Sequence, residues 1–215
     1  MGDGGLNRAA TDAAGRRDAN HYVGAPALWS MATETERMLA GDPYDPSAPE
    51  LVADRARARD LARRYNATSE AAATHRETLL RRLFDEVGDD PVVHPTFRCD
   101  YGYTVTVGNG FFANYGCVFL DANTIRFGDR CLLGPGVQVY TSTHPLDPAE
   151  RAAGRERAEP VTVGDDVWVG GNAVLNPGVT VGDGAVNGSG AVVTGDVQDR
   201  VVVAGSPARA IRDIE

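Results

Sequence analysis

No lysine occurs anywhere in the 215 residues: all 21 basic positions are arginine, against 30 acidic ones and a formal charge of -9. That balance argues against nucleic acid or an anionic membrane as the primary partner, because both reward net positive charge. The arginine-only, acidic composition fits a protein adapted to high salt, and a biased genome composition would produce it equally. Cysteine is scarce as well. Cys99, Cys117 and Cys131 form no metal-ligand spacing and cannot all pair, so reduced, partly buried thiols are expected. No apolar run approaches the roughly 18 residues of a membrane span. No charged-then-apolar leader opens the chain, which makes the cytoplasm the default expectation.

What is present divides into three stretches. Residues 1–30 are rich in Gly, Ala and Asp with little periodicity, and read as a loosely ordered extension. Residues 31–90 carry helical signals. Ser30 or Thr33 caps a short helix through Met38 to Ala40, stopped by Gly41 and Pro43. Ser47 followed by Glu50 predicts a capping box, with Leu51, Ala58, Leu61, Ala62 and Tyr65 on one face of the helix behind it. Thr68 or Ser69 opens a third helix with the stripe Leu79, Leu80, Leu83 and Phe84, ended by Gly88.

From about residue 101 the period changes to six, and the repeat domain is placed at residues 91–215. Val163, Val169, Leu175, Val181 and Val193 form a ladder broken only by Asn187, and Gly164, Gly170, Gly182 and Gly188 follow its rungs. Two residues earlier, Val161, Val167, Ala173, Val179, Ala185 and Ala191 form a second ladder. The same register appears at Val107, Ala113 and Phe119, then at Phe127, Leu133 and Val139, offset by two residues around Asp121 to Asn123. Three short faces of six residues, about 18 per turn, predict a triangular parallel β-solenoid with one bulged coil. The segment 141–160, with three prolines and a charged run, interrupts the repeat and is expected to loop out of it.

Several stretches together resemble one family. They are ERMLAG from Glu36, FRCDYGY from Phe97, FANY from Phe112, YTSTHPL from Tyr140, VWVGG from Val167 and GSPAR from Gly205. The sequence from about Thr33 to Ile214 is similar to the maltose and galactoside acetyltransferases, including their nodulation-type relatives. That resemblance implies a mainly β fold: a left-handed parallel β-helix of hexapeptide repeats with an N-terminal α-helical cap and an ejected loop. It implies acetyl-CoA as cosubstrate, a sugar or other small hydroxyl acceptor, no metal, and a homotrimer with active sites between subunits.

Acetyl transfer to a hydroxyl needs a base, donors for the oxyanion and a slot for the thioester. Histidine suits the first role, and the chain has only His21, His75, His94 and His144. The first three sit in the extension, a polar helix and a pre-repeat loop. His144 opens the ejected loop, where its context alone leaves a catalytic and an ordinary surface histidine both open. The resemblance makes it the catalytic base. It likewise places Asn114, Asp100, Asp121, Asp45 and Phe112 at the acceptor site, although an Asn on a repeat corner or an Asp in a turn can serve the backbone alone. Coenzyme A is expected against Gly171, Ser189, Thr194, Gly195, Arg209 and Arg212; the two arginines could equally be surface charges.

Departures are visible. Many relatives carry lysine where Gly195 stands, an Asn or Asp where Gly116 stands, and an acid at the position of Ala122. A γ-type carbonic anhydrase would need three histidines for zinc, and the repeat region offers one. A serine or xenobiotic acetyltransferase would lack the cap and the RCDYGY stretch. A non-catalytic scaffold would need neither the loop nor the cap.

Overall fold

A helical lead-in precedes the repeats. The computed structural model describes Met1 and residues 32–215, so the extension predicted over 1–30 falls outside the described residues but for Met1. Helix α1 spans Glu34–Ala40. The Thr33 hydroxyl accepts from the Glu36 amide at 3.1 Å, and the Glu36 carboxylate accepts from the Thr33 amide at 2.7 Å. This reciprocal cap, with Gly41 at φ 78 closing the other end, fixes a helix of only seven residues.

Helix α2 spans Pro49–Asn66 and does not use the box predicted at Ser47 and Glu50. Proline at the first helical position moves the cap to Ala48. The Ser47 hydroxyl donates to Asp45 at 2.6 Å instead. Helix α3, Ala73–Leu83, starts later than Thr68 or Ser69 and ends before Gly88, at Phe84, whose backbone is extended. The Thr68 hydroxyl serves the end of α2 by donating to the Tyr65 carbonyl at 2.7 Å. The predicted apolar faces of both helices are buried, Leu51 in a cluster with Met38 and Tyr44 and the rest in the solenoid core.

Three parallel sheets follow. The first face stacks Glu86–Val87, Val105–Val107, Ile125–Phe127, Val161–Val163 and Thr180–Val181. The second stacks Val92–Val93, Phe112–Ala113, Leu132–Leu133, Trp168–Val169, Val186–Asn187 and Val201–Ala204, closed by the antiparallel strand Arg209–Asp213. The third stacks Arg98–Cys99, Val118–Leu120, Gln138–Tyr140, Val174–Leu175 and Val192–Val193. Both predicted ladders point inward and are buried. Val163 pairs with Val181, eighteen residues on, whereas Val107 pairs with Phe127, twenty residues on. The two extra residues are the predicted bulge. There the Asn123 amide donates to the carbonyls of Met38, Leu39 and Ala158 at 3.2–3.3 Å, tying α1 and the base of the ejected loop to the solenoid.

Outward side chains differ from face to face. Thr106, Arg126, Thr162 and Thr180 align on the first face. Val92, Phe112, Leu132, Trp168, Val186 and Val202 align on the second. Arg98, Val118, Gln138, Val174 and Val192 run down the third, with Leu120 and Tyr140 beside them. One face is polar and two are largely apolar.

The corner after the first face carries a different device. The amides of Asp89, Asn109, Asp129, Asp165 and Asp183 each donate to a side-chain oxygen one coil further on, at Asn109, Asp129, Asp165, Asp183 and Asp199, over 2.8–3.0 Å. Among the described residues no helix is long and apolar enough to cross a membrane.

Asn187 occupies a rung otherwise filled by valine or leucine, and neither its amide nitrogen nor its oxygen has a partner among the described residues. An unsatisfied buried amide costs about 1–3 kcal/mol. Asn187→Val is therefore expected to raise the thermal unfolding midpoint by several degrees in a calorimetric scan. A lowered midpoint would mean that the amide is satisfied by enclosed water.

Candidate active site

The two corners flanking the third face hold most of the sequence-predicted site residues. Asn114 lies at the corner entering that face, beside a cavity of about 340 Å³ lined by Phe112, Leu132, Leu133, Gly134 and Trp168. Gly134, Gly171 and Ser189 continue down this corner. A Cβ on Gly134 would meet the Gly171 nitrogen at 2.5 Å, and one on Gly170 would meet the Ser189 nitrogen at 2.5 Å. Glycine is needed there for the coils to stack, and what remains is a shallow strip of small residues. The Gly170 amide is committed to the Asn187 carbonyl at 2.7 Å.

The corner leaving the third face holds Asp100, Asp121 and His144, and Thr194 and Gly195 further along. His144 follows the strand Ser142–Thr143, which pairs with Arg157–Ala158 to form the neck of the ejected loop. Its imidazole is 60% exposed, and its Nε2 lies 3.9 Å from Glu156 Oε1. The other oxygen of Glu156 accepts from the Tyr44 hydroxyl at 2.7 Å. Burial and that hydrogen bond to Glu156 hold the Tyr44 phenol well above its usual range, so it remains a donor. Asp45, next in sequence, accepts from the Ser47 hydroxyl and amide, and these bonds keep its carboxyl below the usual range.

Asp100 lies 3.4 Å from Arg59, in a cavity of about 630 Å³ between α2 and the third face that Arg63 and Arg98 also line. Asp121 is fully buried. Its carboxylate accepts from the amides of Asp100, Tyr101 and Gly102 and from the Thr104 hydroxyl at 2.6–3.0 Å. Burial raises its pKa and those bonds lower it, with a net upward shift. These contacts commit Asp121 to shaping the loop that presents Asp100.

Thr194, Gly195 and Arg209 share a cavity of about 610 Å³ at the C-terminal end of the solenoid. Arg212 is exposed and pairs in register with Val202. All three cysteines are buried, and burial pushes the Cys117 and Cys131 thiols up to about 11. Among the described residues, no group of three or more His, Cys, Asp or Glu is placed to hold a metal.

By strand order Asp100 and His144 belong to different coils of one corner, and Asn114, Gly171 and Ser189 to the other, while Asp45 sits in the turn after α1 beside Tyr44. Asn114 and Asp121 bracket the third-face strand Val118–Leu120, with a turn at Tyr115 and Gly116 between Asn114 and that strand. Glu156, Tyr44 and Trp168 were not assigned site roles from sequence. Tyr44 and Glu156 are 112 residues apart and joined by an isolated bridge, which no local pattern announces.

Comparison with known proteins places this architecture. A family model for the maltose acetyltransferase hexapeptide capping motif matches residues 37–88, and one for the hexapeptide repeat of succinyl-transferase matches residues 160–195. The nodulation protein L of Rhizobium meliloti (strain 1021) is 45% identical over 177 residues, 82% of this chain and 97% of that protein. The crystal structure of a maltose O-acetyltransferase from Clostridium difficile 630 superposes with a TM-score of 0.84 at 45% identity, covering 86% of this chain and 98% of that one. A galactoside acetyltransferase in complex with coenzyme A gives 0.83 at 35% identity, covering 86% and 92%. Matched over more than four-fifths of its length to relatives of this identity, the chain belongs to the maltose and galactoside O-acetyltransferase family of hexapeptide-repeat acetyltransferases.

Proposed function

We propose that this protein transfers the acetyl group of acetyl-CoA to a sugar hydroxyl, with His144 as general base, in sites completed between the subunits of a cyclic trimer. The observation that carries the reading is the ejected loop's one histidine, exposed at the neck of that loop with Glu156 Oε1 3.9 Å from its Nε2, a placement suited to deprotonating an acceptor hydroxyl. His144 takes the hydroxyl proton, the oxygen attacks the thioester carbon, and the C–S bond breaks as the proton passes to the departing thiolate. The Gly171 amide is the donor available for the oxyanion, since that of Gly170 is committed. The strip of Gly134, Gly171 and Ser189 suits an extended pantetheine arm, with Arg209 and Arg212 for phosphates. No acetyl-enzyme on cysteine is invoked: thiols at about 11 are protonated at neutral pH.

The trimer rests on the faces. Two apolar faces meeting at one edge of a triangular prism favour a heterologous contact, the second face of one copy against the third face of the next, which closes after three copies. Trp168, 54% exposed, and Leu132, 49% exposed, are costly to leave in water and lie at the middle of that column.

The test is thiol release from acetyl-CoA with a panel of sugars, serine and chloramphenicol, at low and at molar salt. Release is expected with sugars, and the arginine-only acidic chain is expected to keep its activity in molar salt, as a cytoplasmic enzyme of a salt-adapted cell would. Release with serine or chloramphenicol alone would overturn the acceptor; none with any acceptor at either salt would overturn the reaction.

A further inference from the structure

The loop that presents His144 also delivers a carboxylate whose position is set before any substrate arrives. Glu156 Oε1 lies 3.9 Å from His144 Nε2, and Oε2 accepts the Tyr44 hydroxyl at 2.7 Å. The backbones of Tyr44 and Glu156 exchange hydrogen bonds of 3.0 and 3.1 Å, so the glutamate is held both by its main chain and by its head. Tyr44 is itself 1% exposed, packed with Met38, Leu51, Tyr101 and Ala158. A free surface glutamate would lose rotamer entropy on pairing; this one has already lost it. The charged run around Glu156 would otherwise be a solvated loop edge, and a solvated edge does not require a buried tyrosine from the helical lead-in.

We propose that Glu156, fixed by Tyr44, is the positioning residue for His144, an inference that rests on the reading of His144 as the base. The carboxylate fixes which ring nitrogen carries the proton and leaves the other free to accept the proton of the acceptor hydroxyl. It then faces the imidazolium until that proton moves to the departing thiolate. The 3.9 Å separation is that of a charge contact, and it tightens when the ring becomes cationic.

The test compares Glu156→Gln and Tyr44→Phe, each alone and in a His144→Ala background, reading kcat, KM for acetyl-CoA and the unfolding midpoint of the full chain. Glu156→Gln is expected to lower kcat about 100-fold and Tyr44→Phe about 5-fold, with KM for acetyl-CoA and the midpoint unchanged, as for loss of a residue that orients a catalytic imidazole. Both effects should vanish once His144 is gone. An unchanged kcat in Glu156→Gln, while His144→Ala is crippled, would overturn the proposal and leave the base in place. An equal loss in both backgrounds would also overturn it, because Glu156 would then act independently of His144. Full activity in His144→Ala would remove the base and the proposal together. If Glu156→Gln does not fold, Tyr44→Phe, which deletes one oxygen, decides on the same readings.

Discussion

His144→Ala is expected to lose between about 10²- and 10⁴-fold in kcat, the range of positioned acid–base catalysis, with its unfolding midpoint unchanged. The midpoint should hold because the imidazole is largely exposed, so truncation opens no cavity. The loss should be large because no other described histidine can substitute. His75 is exposed on α3, and His94 stacks on Tyr115 at 4.6 Å, at the corner of Asn114. Thiol release with the best sugar from the panel is the measurement, and His144→Asn serves as a polar control. Undiminished turnover in both variants would keep the enzyme class and discard the base.

Placing arginine at position 168 should have an effect of comparable size by a different route. Trp168→Arg puts a charge at the centre of the apolar column on the second face, which a partner copy would have to bury unpaired. Because Trp168 is half exposed in the single chain, the variant is expected to fold and yet fail to associate. Light scattering should then report the 22.8 kDa of one chain instead of three times that mass, and acetyl transfer should be lost. The two losses belong together because Asn114 and His144 occupy opposite edges of the third face. Mixing two inactive variants separates site-sharing from mere stabilisation. Subunits carrying His144→Ala, randomly co-assembled with subunits carrying Asn114→Ala, should recover about one intact interface in four. A Trp168→Arg protein that is monomeric and fully active, or a mixture with no recovery, would show that each chain carries a complete site.

The solenoid was legible because its constraint is periodic. Each rung stacks on its neighbour, so Val163 to Val193 had to repeat at six, and the two-residue slip at Asp121 to Asn123 had to bulge. Helix starts were less legible. Ser47 and Glu50 have the spacing of a cap, but Pro49 between them sets the start, and Asp45 takes the serine. At the site, the sequence located the corners and not the direction of each side chain. Asp121 has the composition of a ligand-binding acid, and only the fold of the 100–104 loop over it shows that its oxygens are occupied. Glu156 is the converse case. Embedded in the run RERAE, it reads as a solvated charge until Tyr44 is brought to it across the molecule.

The side-chain ladder from Asn109 to Asp199 gives the solenoid a grain. Every bond in it runs the same way, from an amide to an oxygen supplied by the next coil. The main chain at the same corner runs against it: the amides of Gly110, Arg130, Asp166, Gly184 and Arg200 donate back to carbonyls of the preceding coil at 2.7–2.8 Å. Each coil is thus fastened in both directions, and trimming from either end strands an amide donor. A coil emerging from the ribosome likewise stays unfinished at that corner until its successor has been made.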